Sequence, residues 1–300
     1  MLALIDADLI TYSVGFASDR KLYHVMGCDF DTKKEAKEFC DRTDIDHTEI
    51  TFTVQEEPLE YTLHSVKKLL ESILENTKAN SYKLYLTGKG NFRETVAVTK
   101  PYKGNRDVLH KPRHYDDIKK YLINVWEAEV VEGTEADDAM GLEQWKDLSP
   151  ILDTERKLAD NYSEVYAGTI IASLDKDMDM IPGWHYNWRK KETYWIDENT
   201  AKYNFYTQML TGDPTDNIQG CPKIGEVTAE KILDTCTSYR EMAEKTREAY
   251  WTSYYKHGKH GSLEEFFETI DDIFIEHAKL LWIKRTLEEE LPEEIYGTVY

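Results

Sequence analysis

The sequence has 300 residues and a formal net charge of −20 at pH 7, with 57 acidic and 37 basic side chains. Hydrophobic residues make up 41% and charged residues 31%, which is ordinary for a globular protein. The negative charge argues against a protein that coats nucleic acid along its whole length, although a local basic segment can still contact phosphate. No apolar stretch approaches the roughly 20 residues that span a bilayer, so no membrane partner is expected.

The first part of the chain alternates strand-like and helical patterns. Residues 2–5 are a short apolar run, typical of a strand buried on both faces. Residues 19–57 mix strand-like pieces with a charged helical piece, and we interpret them as an inserted surface element. Apolar residues then recur at helical spacing from Leu59 to Ile73, and residues 82–86 resemble a strand. This alternation predicts an α/β fold with a central parallel sheet flanked by helices.

The remainder of the chain continues this pattern and then becomes helical. Residues 100–114 contain proline, glycine and five basic side chains without an apolar period, which predicts a loop followed by a helix to about Val125. Thr134 is expected to begin a helix in a capping box with Asp137. Thr169–Ser173 is a buried strand, and the pattern turns helical from Tyr206. We therefore expect an α/β domain over residues 1–205 and a helical lobe over residues 206–300.

Acidic residues lie where the predicted elements begin or end. Asp6 and Asp8 follow the first strand, and another group follows the strand at 169–173. Because ligands bind outside the carboxyl ends of parallel strands, these acids should share one crevice. The GDPTDN motif would add two acids from the helical lobe. The other members of the predicted acidic cluster are Glu135, Asp137, Asp138, Asp175, Asp177, Asp213 and Asp216.

Carboxylates packed this closely repel one another unless cations lie between them. Oxygen ligands with few nearby histidines predict Mg²⁺ or Mn²⁺ rather than zinc, and four cysteines without close spacing predict reduced thiols in the cytoplasm. Two such ions about 4 Å apart can activate water and stabilise the leaving oxygen of a phosphodiester. The cluster therefore predicts a metal-dependent nuclease. Taken singly, Asp6 or Asp213 is also explained as a turn residue, and Asp137 as a capping residue. These explanations leave Glu135 and Asp138 without a reason, and so many acids at element ends favour one shared site.

Several motifs resemble the phage 5′-3′ exonuclease and flap endonuclease family, which shares a PIN-like fold with the 5′-nuclease domain of bacterial DNA polymerase I. In chain order they are IDAD at Ile5–Asp8, YKGNRD at Tyr102–Asp107, EADD at Glu135–Asp138, SLDKD at Ser173–Asp177, TGDPTDNIQG at Thr211–Gly220 and CPKIGEVTAEKIL at Cys221–Leu233. The resemblance implies a PIN-like nuclease core over 1–205, with an insert at about 19–57 and an arch at about 88–125. It also implies a helix-hairpin DNA-binding element (H3TH) in the C-terminal lobe.

The resemblance also implies roles for individual residues. Asp6, Glu135, Asp137 and Asp138 resemble the first metal site, and Asp175, Asp177, Asp213 and Asp216 the second. Lys103 and Arg106 match arch residues that contact the scissile phosphate, and Tyr102 matches an aromatic residue that stacks near the reacting base. We expect Lys103 and Arg106 to act in catalysis with Asp6, Asp175 and Asp213. The hairpin is expected to contact DNA through Gly220, Lys223 and Gly225, and to hold K⁺.

One position departs from the family pattern. The strand at 82–86 usually leads to an aspartate that binds the first metal, and Gly88 stands there instead. Water or Asp8 could complete the site, or the first metal could be weakly bound. Lys89 and Arg93, which lie close by in the sequence, are expected to contact phosphate.

The predicted function is 5′-3′ exonuclease or flap endonuclease activity at or near 5′ ends of duplex or branched DNA. The resemblance alone implies RNA primers in RNA–DNA hybrids as a further substrate. It also implies phage replication or host-DNA degradation, in a bacterial cytoplasm, as the setting. Two alternatives stay open. A PIN-type ribonuclease is disfavoured by the hairpin-bearing lobe, whereas a non-catalytic binder of branched DNA is suggested by Gly88.

Overall fold

Strands and helices alternate along the chain, in agreement with the hydrophobic pattern. A computed structural model describes residues 1–105, 111–155, 164, 166–257, 263–288 and 291–296. In this part of the chain the strands are β1 (Leu2–Asp6), β2 (Asp19–Val25), β3 (Cys28–Phe30), β4 (Thr51–Glu56), β5 (Ser81–Thr87), β6 (Glu129–Val131), β7 (Thr169–Ala172), β8 (Gly183–Asn187) and β9 (Glu192–Ile196). The helices are α1 (Ala7–Ala17), α2 (Lys33–Thr43), α3 (Leu59–Thr77), α4 (Arg93–Val96), α5 (Tyr115–Trp126), α6 (Ala136–Glu155), α7 (Glu198–Thr211), α8 (Glu226–Leu233), α9 (Tyr239–His257), α10 (Leu263–Leu281) and α11 (Glu293–Tyr296).

The chain divides into two units. The larger contains Met1–Asp6, Ile73–Leu109 and Ala128–Tyr300, and the smaller contains Ala7–Ser72 and His110–Glu127. The domain boundary expected near residue 205 stays a prediction, and residue 205 lies within the larger unit. Among the described helices, none combines the length and the apolar character needed to cross a membrane.

A six-stranded sheet in the order β6-β5-β1-β7-β8-β9 forms the centre of the larger unit. Neighbouring strands from β6 to β8 run parallel, and β9 pairs antiparallel with β8. The register places Asp6 beside Tyr85 of β5, and Ile5 beside Ala172 of β7. Leu4 and Ile5 are fully buried, as expected for a strand covered on both faces. The predicted parallel α/β fold is therefore confirmed, and it directs the carboxyl ends of β1 and β7 to one edge.

Two apolar clusters support the larger unit. Leu4 and Ile171 of the sheet pack with Met140 of α6 and with Ile283, which follows α10. A second cluster joins α7, α9 and α10, and it includes Phe205, Tyr206, Tyr250, Phe274 and Trp282. The helices that carry the later acidic motifs are therefore held to one another by large buried side chains, whose removal from water supplies most of their stabilisation.

The smaller unit contains the inserted element at 19–57. Its antiparallel sheet has the order β3-β2-β4, and α2 packs on it through Ala36 and Cys40 against Val25. The Thr32 hydroxyl accepts from the Glu35 amide while the Glu35 carboxylate accepts from the Thr32 amide, which caps the start of α2. These contacts agree with the mixture of strand-like and helical pieces expected from the sequence.

The start of the C-terminal helices was predicted wrongly. The helical pattern was expected from Tyr206, whereas α7 begins at Glu198. The Asp197 carboxylate accepts a hydrogen bond from the Thr200 amide and so satisfies an otherwise free N–H group in the first turn. Asp197 is a common type of helix-capping residue, but it lies more than two turns before Tyr206, where the helical pattern was expected to begin.

Candidate active site

Seven of the predicted acids come together in the larger unit. A cleft of about 230 Å³ is lined by acids from three parts of the chain: the start of α6, the segment after β7, and the loop after α7. Asp6, at the end of β1, is 3% exposed, and its charge acts on Asp137. The acids that line the cleft are Glu135, Asp137, Asp175, Asp177, Asp213 and Asp216.

Hydrogen bonds within the backbone turns fix several of these acids. The Ser173 hydroxyl donates to Asp6 Oδ2 at 2.8 Å and accepts from the Asp175 amide at 3.0 Å, which links the ends of β1 and β7. Asp175 Oδ1 accepts from the Asp177 amide at 2.9 Å and caps the short 3-10 helix Lys176–Met180. Asp6 is therefore held by Ser173, which follows β7, and Asp175 is held within its own turn. The parallel sheet brings the two strand ends together.

The electrostatics of the cleft favour bound cations. Burial raises the pKa of Asp137 well above its usual range, and the charges of Asp6 and Asp175 add to this effect. Burial, followed by the charges of Asp175 and Asp213, raises the pKa of Asp177 to about 7. The pKa of Asp175 is also raised, mainly by burial. An oxygen donor set with this surplus of negative charge fits a hard divalent cation, which would relieve the repulsion.

Tyr102 and Lys103 lie among the acids. The Tyr102 hydroxyl is 2.6 Å from Asp216 Oδ2 and 3.0 Å from Glu135 Oε2, so its proton can be donated to either carboxylate. The Lys103 ammonium contacts Glu135 Oε1 and lies 3.7 Å from Asp216 Oδ2. Among the described residues, no three acidic, histidine or cysteine side chains already stand at ion-holding spacing. Lys103 and Tyr102 instead make contacts to Glu135 and Asp216 that a bound cation would otherwise make.

Arg93 and Asp138 form a buried pair. Arg93 Nη1 and Nη2 donate to the two oxygens of Asp138 at 2.6 and 3.0 Å, and the two side chains are 2% and 0% exposed. Arg93 also donates to the carbonyls of Leu280 and Trp282, both at 2.9 Å. Although burial opposes its ionisation, Asp138 has a lowered pKa because of the Arg93 charge.

This pair bears on three expectations. Arg93 was expected to contact phosphate. It belongs to the lining of the cleft, and its Nη1 atom lies 3.7 Å from Glu135 Oε2. Its side chain is buried and already donates to Asp138, so a contact with phosphate stays a prediction. Asp138 lies outside the lining of the cleft, and both of its oxygens already accept hydrogen bonds. The expected capping box at Thr134 is also corrected, because the Thr134 hydroxyl donates to Asp138 rather than pairing with Asp137. Asp137 is thereby left to face the cleft.

The space beside Gly88 is filled. A Cβ atom on Gly88 would lie 2.7 Å from the Val131 carbonyl oxygen and 2.8 Å from Glu132 Oε1. The other oxygen of Glu132 accepts from the Lys89 amide at 2.8 Å, while the Lys89 side chain is exposed. Sequence reasoning missed Glu132, although an acid directly after β6 was a visible signal. Asp8 lies in the smaller unit, 3.7 Å from the Lys119 ammonium, so its role in completing the metal site stays a prediction.

The loop that carries Asp213 and Asp216 is closed by backbone contacts. Asp213 and Ile218 exchange two backbone hydrogen bonds of 2.8 Å. Gly212 and Gly220 have φ of +73° and +62°, and a Cβ on Gly220 would lie 2.3 Å from the Gly212 nitrogen. Only glycine fits this crossing of the chain. The crossing holds both acids toward the cleft.

The remaining predicted DNA contacts lie at the start of α8 or outside the described residues. Gly225 is the N-cap of α8, and Gly225 and Lys223 are exposed. Arg106 lies in 106–110, outside the described residues. A further residue was missed: Gln208 Nε2 donates to Asp177 Oδ1 at 3.0 Å from the last turn of α7. Its position five residues before Asp213 was the available signal.

No family model matches the chain. A curated 5′-3′ exonuclease from Buchnera aphidicola subsp. Schizaphis graminum is 28% identical over 207 residues, which are 64% of this chain and 66% of that protein. The match thus spans just under two thirds of the relative's length.

Solved structures of T5 proteins show the same fold. T5 5′-exonuclease with bound zinc has a TM-score of 0.52 and 15% identity, covering 93% of this chain and 88% of that chain. T5 D15 protein co-crystallised with metal ions has a TM-score of 0.50 and 14% identity, covering 92% and 87%. These findings confirm the resemblance predicted from the motifs: the chain is similar in sequence to a 5′-3′ exonuclease and has the PIN-like α/β fold of the T5 enzyme.

Proposed function

We propose that this chain is a divalent-metal-dependent nuclease that hydrolyses phosphodiester bonds at or near 5′ ends of duplex or branched DNA. The observation that carries the proposal is the cleft itself, in which acids from β1, α6, the β7 turn and the α7 loop converge beside Lys103. The named activity of the Buchnera relative, and the metal ions and zinc named with the T5 structures, support the same chemistry.

Two groups of acids would hold the ions. Asp6, Glu135 and Asp137 belong to the first group, and Asp175, Asp177, Asp213 and Asp216 to the second. We assign Asp138 a supporting role, because Arg93, Thr134 and the Lys284 amide engage its oxygens. These acids would hold Mg²⁺ or Mn²⁺, which would lower the pKa of a bound water and stabilise the leaving oxygen. The raised pKa values of Asp137, Asp175 and Asp177 mean that cation binding releases protons from the cleft.

The residues of the YKGNR motif would act on the substrate. The Lys103 ammonium contacts Glu135 in the free protein. When DNA binds, it would move from Glu135 to the phosphate and stabilise the negative charge that develops there. Tyr102, which lies beside it, offers a ring for stacking on a base. Arg106, Lys89 and Lys223 are proposed as further phosphate contacts.

The start of α8 is proposed to bind the DNA backbone away from the cleft. Gly225 leaves the first turn of α8 open to solvent, since a Cβ there would meet no atom within 4 Å. Free N–H groups at a helix start favour phosphate, and Gly220 allows the chain to cross closely just before it. We propose K⁺ as a ligand of this hairpin on the basis of the sequence resemblance alone.

The test is cleavage of 5′-labelled duplex, 5′-flap and single-stranded DNA, with an RNA of the same sequence, in Mg²⁺, Mn²⁺ or EDTA. We expect short 5′-phosphorylated products from the flap and duplex in either metal and intact substrate in EDTA. Cleavage confined to RNA would favour a PIN-type ribonuclease. Binding of flaps without cleavage in any metal would favour a non-catalytic DNA binder. The phage setting, RNA-primer removal and a bacterial cytoplasm stay predictions from the sequence resemblance.

A further inference from the structure

A buried glutamate outside the cleft holds the backbone that leads to Lys103. Glu276 lies on α10 and is 8% exposed. Its Oε1 atom accepts three hydrogen bonds: from the Val98 amide at 2.9 Å, the Thr99 amide at 2.9 Å and the Thr99 hydroxyl at 2.8 Å. Burying a carboxylate is unfavourable unless it is hydrogen-bonded, and bonds to an ionised acceptor are stronger than neutral ones. Glu276 is therefore a specific anchor for residues 98 and 99.

The C-terminal end of α10 also holds α4, the short helix that precedes residues 98 and 99. Arg93, on α4, donates to the carbonyls of Leu280 and Trp282 at the end of α10. Residues 97–105, all of which are described, form turns and irregular backbone rather than a helix or strand. Their position accordingly depends on contacts such as those of Glu276, because no regular hydrogen-bond ladder supports them.

The other end of this segment rests on the loop that carries Asp216. The Lys103 amide donates to the Asp216 carbonyl at 2.9 Å, and Asn217 Nδ2 donates to the Pro101 carbonyl at 2.9 Å. Asn105 Nδ2 donates to the Pro214 carbonyl at 2.5 Å. Tyr102 and Lys103 therefore lie between two anchors, Glu276 on one side and residues 214–217 on the other.

We propose that Glu276 is a positioning residue that sets where Tyr102 and Lys103 stand relative to the acidic cleft. The proposal rests on the proposed nuclease function, since it assigns Lys103 to the phosphate. Lys103 follows Thr99 by four positions, so a shift at the anchor is transmitted over at most about 14 Å of chain. A misplacement of about 1 Å can cost on the order of a hundredfold in rate.

A purely structural role makes a different prediction. If Glu276 only attached residues 98 and 99 to α10, its loss would lower thermal stability and leave the rate of the folded fraction unchanged. If it positions Lys103, its loss slows cleavage at saturating DNA while the KM changes little, because the cleft acids and the α8 contacts remain.

The experiment compares Glu276→Ala, Glu276→Gln and Asp272→Ala in the full chain. Glutamine retains an acceptor oxygen, and Asp272 is an exposed acid on the same helix. Amide exchange at Val98 and Thr99 is measured by NMR, and kcat and KM are measured on a 5′-flap DNA with Mg²⁺. We expect Glu276→Ala to speed exchange at both amides and to lower kcat about tenfold to a hundredfold, with KM within about threefold. Glu276→Gln should restore most of both losses, and Asp272→Ala should match the wild type.

Two results would overturn the proposal. Unchanged exchange in Glu276→Ala would remove the anchor whether or not the protein cleaves DNA, and faster exchange with an unchanged kcat would remove the positioning role. An inactive wild type would instead overturn the proposed function. Should Glu276→Ala not fold, Thr99→Val and Thr99→Ser decide the matter: only the valine variant loses the hydroxyl donor, so only it should exchange faster and cleave more slowly.

Discussion

The Lys103 ammonium lies against the Glu135 carboxylate, inside the cleft proposed to bind metal. Lys103 has φ of +55°, and its amide donates to the Asp216 carbonyl, so the backbone helps to direct the side chain inward. One cation of the protein thus occupies part of the space and charge that a metal ion would take.

Replacing Lys103 with methionine should have opposite effects on metal binding and on catalysis. Mn²⁺ should bind more tightly in the absence of DNA, because no ammonium competes for Glu135. Cleavage at saturating DNA should slow by about a hundredfold or more, the usual cost of losing one group that stabilises transition-state charge. Calorimetric Mn²⁺ titration and single-turnover rates measure the two effects. Lys146→Met, at an exposed position of α6, is the control; unchanged Mn²⁺ affinity in Lys103→Met would contradict the competition.

The second-group acids should be essential for cleavage and dispensable for DNA binding. Asp175→Ala and Asp213→Ala should each lower the cleavage rate by at least about a thousandfold, since the groups of one catalytic unit fail together. Flap binding in Ca²⁺, followed by fluorescence anisotropy, should remain measurable. A variant that keeps more than a tenth of the wild-type rate would remove that residue from the proposed site.

Asp138 should behave differently from Asp137, although the two are adjacent. Asp138→Ala leaves the buried Arg93 guanidinium without its carboxylate and should lower the free energy of unfolding by about 3–5 kcal/mol. Asp137→Asn removes a carboxylate that its neighbours repel, so it should raise the unfolding free energy in EDTA. Urea denaturation in EDTA measures both. Equal destabilisation by the two variants would be inconsistent with these assignments.

Metal-free stability should fall as the pH rises from about 4 to about 7. The folded state raises the pKa of Asp177 to about 7, so over this range it binds more protons than the unfolded chain. The stabilising contribution of the protonated carboxyl is complete below the unfolded pKa and is lost as pH rises through the folded pKa.

Thermal unfolding as a function of pH tests this expectation. In EDTA the Tm should decline between pH 4 and 7, and Asp177→Asn should flatten the decline. In saturating Mg²⁺ the decline should be offset, because the ion binds the deprotonated acids. A Tm that rises over this interval in EDTA would contradict the raised pKa.

Gly88→Asp should not create a better metal site. The new Cβ would lie 2.7 Å from the Val131 carbonyl oxygen, and backbone must move to admit it. We expect a loss of about 1–3 kcal/mol in unfolding free energy, the range found for overpacking, without tighter Mn²⁺ binding. Gly88→Ala separates the steric effect from the added charge and should be destabilised comparably. Tighter Mn²⁺ binding in Gly88→Asp would contradict this prediction. It would show that the Glu132 side chain moves away from the new aspartate at little cost.

Much of the fold and of the acidic site was accessible from the sequence because the signals were local. The apolar run at residues 2–5, the strand at 169–173 and the helical period after Leu59 each follow from short-range patterns, and the structure confirms them. The acids of the EADD and SLDKD motifs were expected to meet because parallel strands end at one edge of a sheet. The two acids of GDPTDN were expected to join them from the helical lobe.

Tertiary structure alone decided what each acid faces. Asp137 and Asp138 are equivalent in the motif, but one turn of α6 directs Asp137 to the cleft and Asp138 to Arg93, which is 45 positions away in the chain. Glu132 and Gly88 meet only because β5 and β6 pair, and Glu276 reaches Val98 across 178 residues. Local patterning therefore determined the elements and the chemistry of the cleft. The partner of each buried charge was decided by packing, since burial makes an unpaired charge so costly that distant residues must satisfy it.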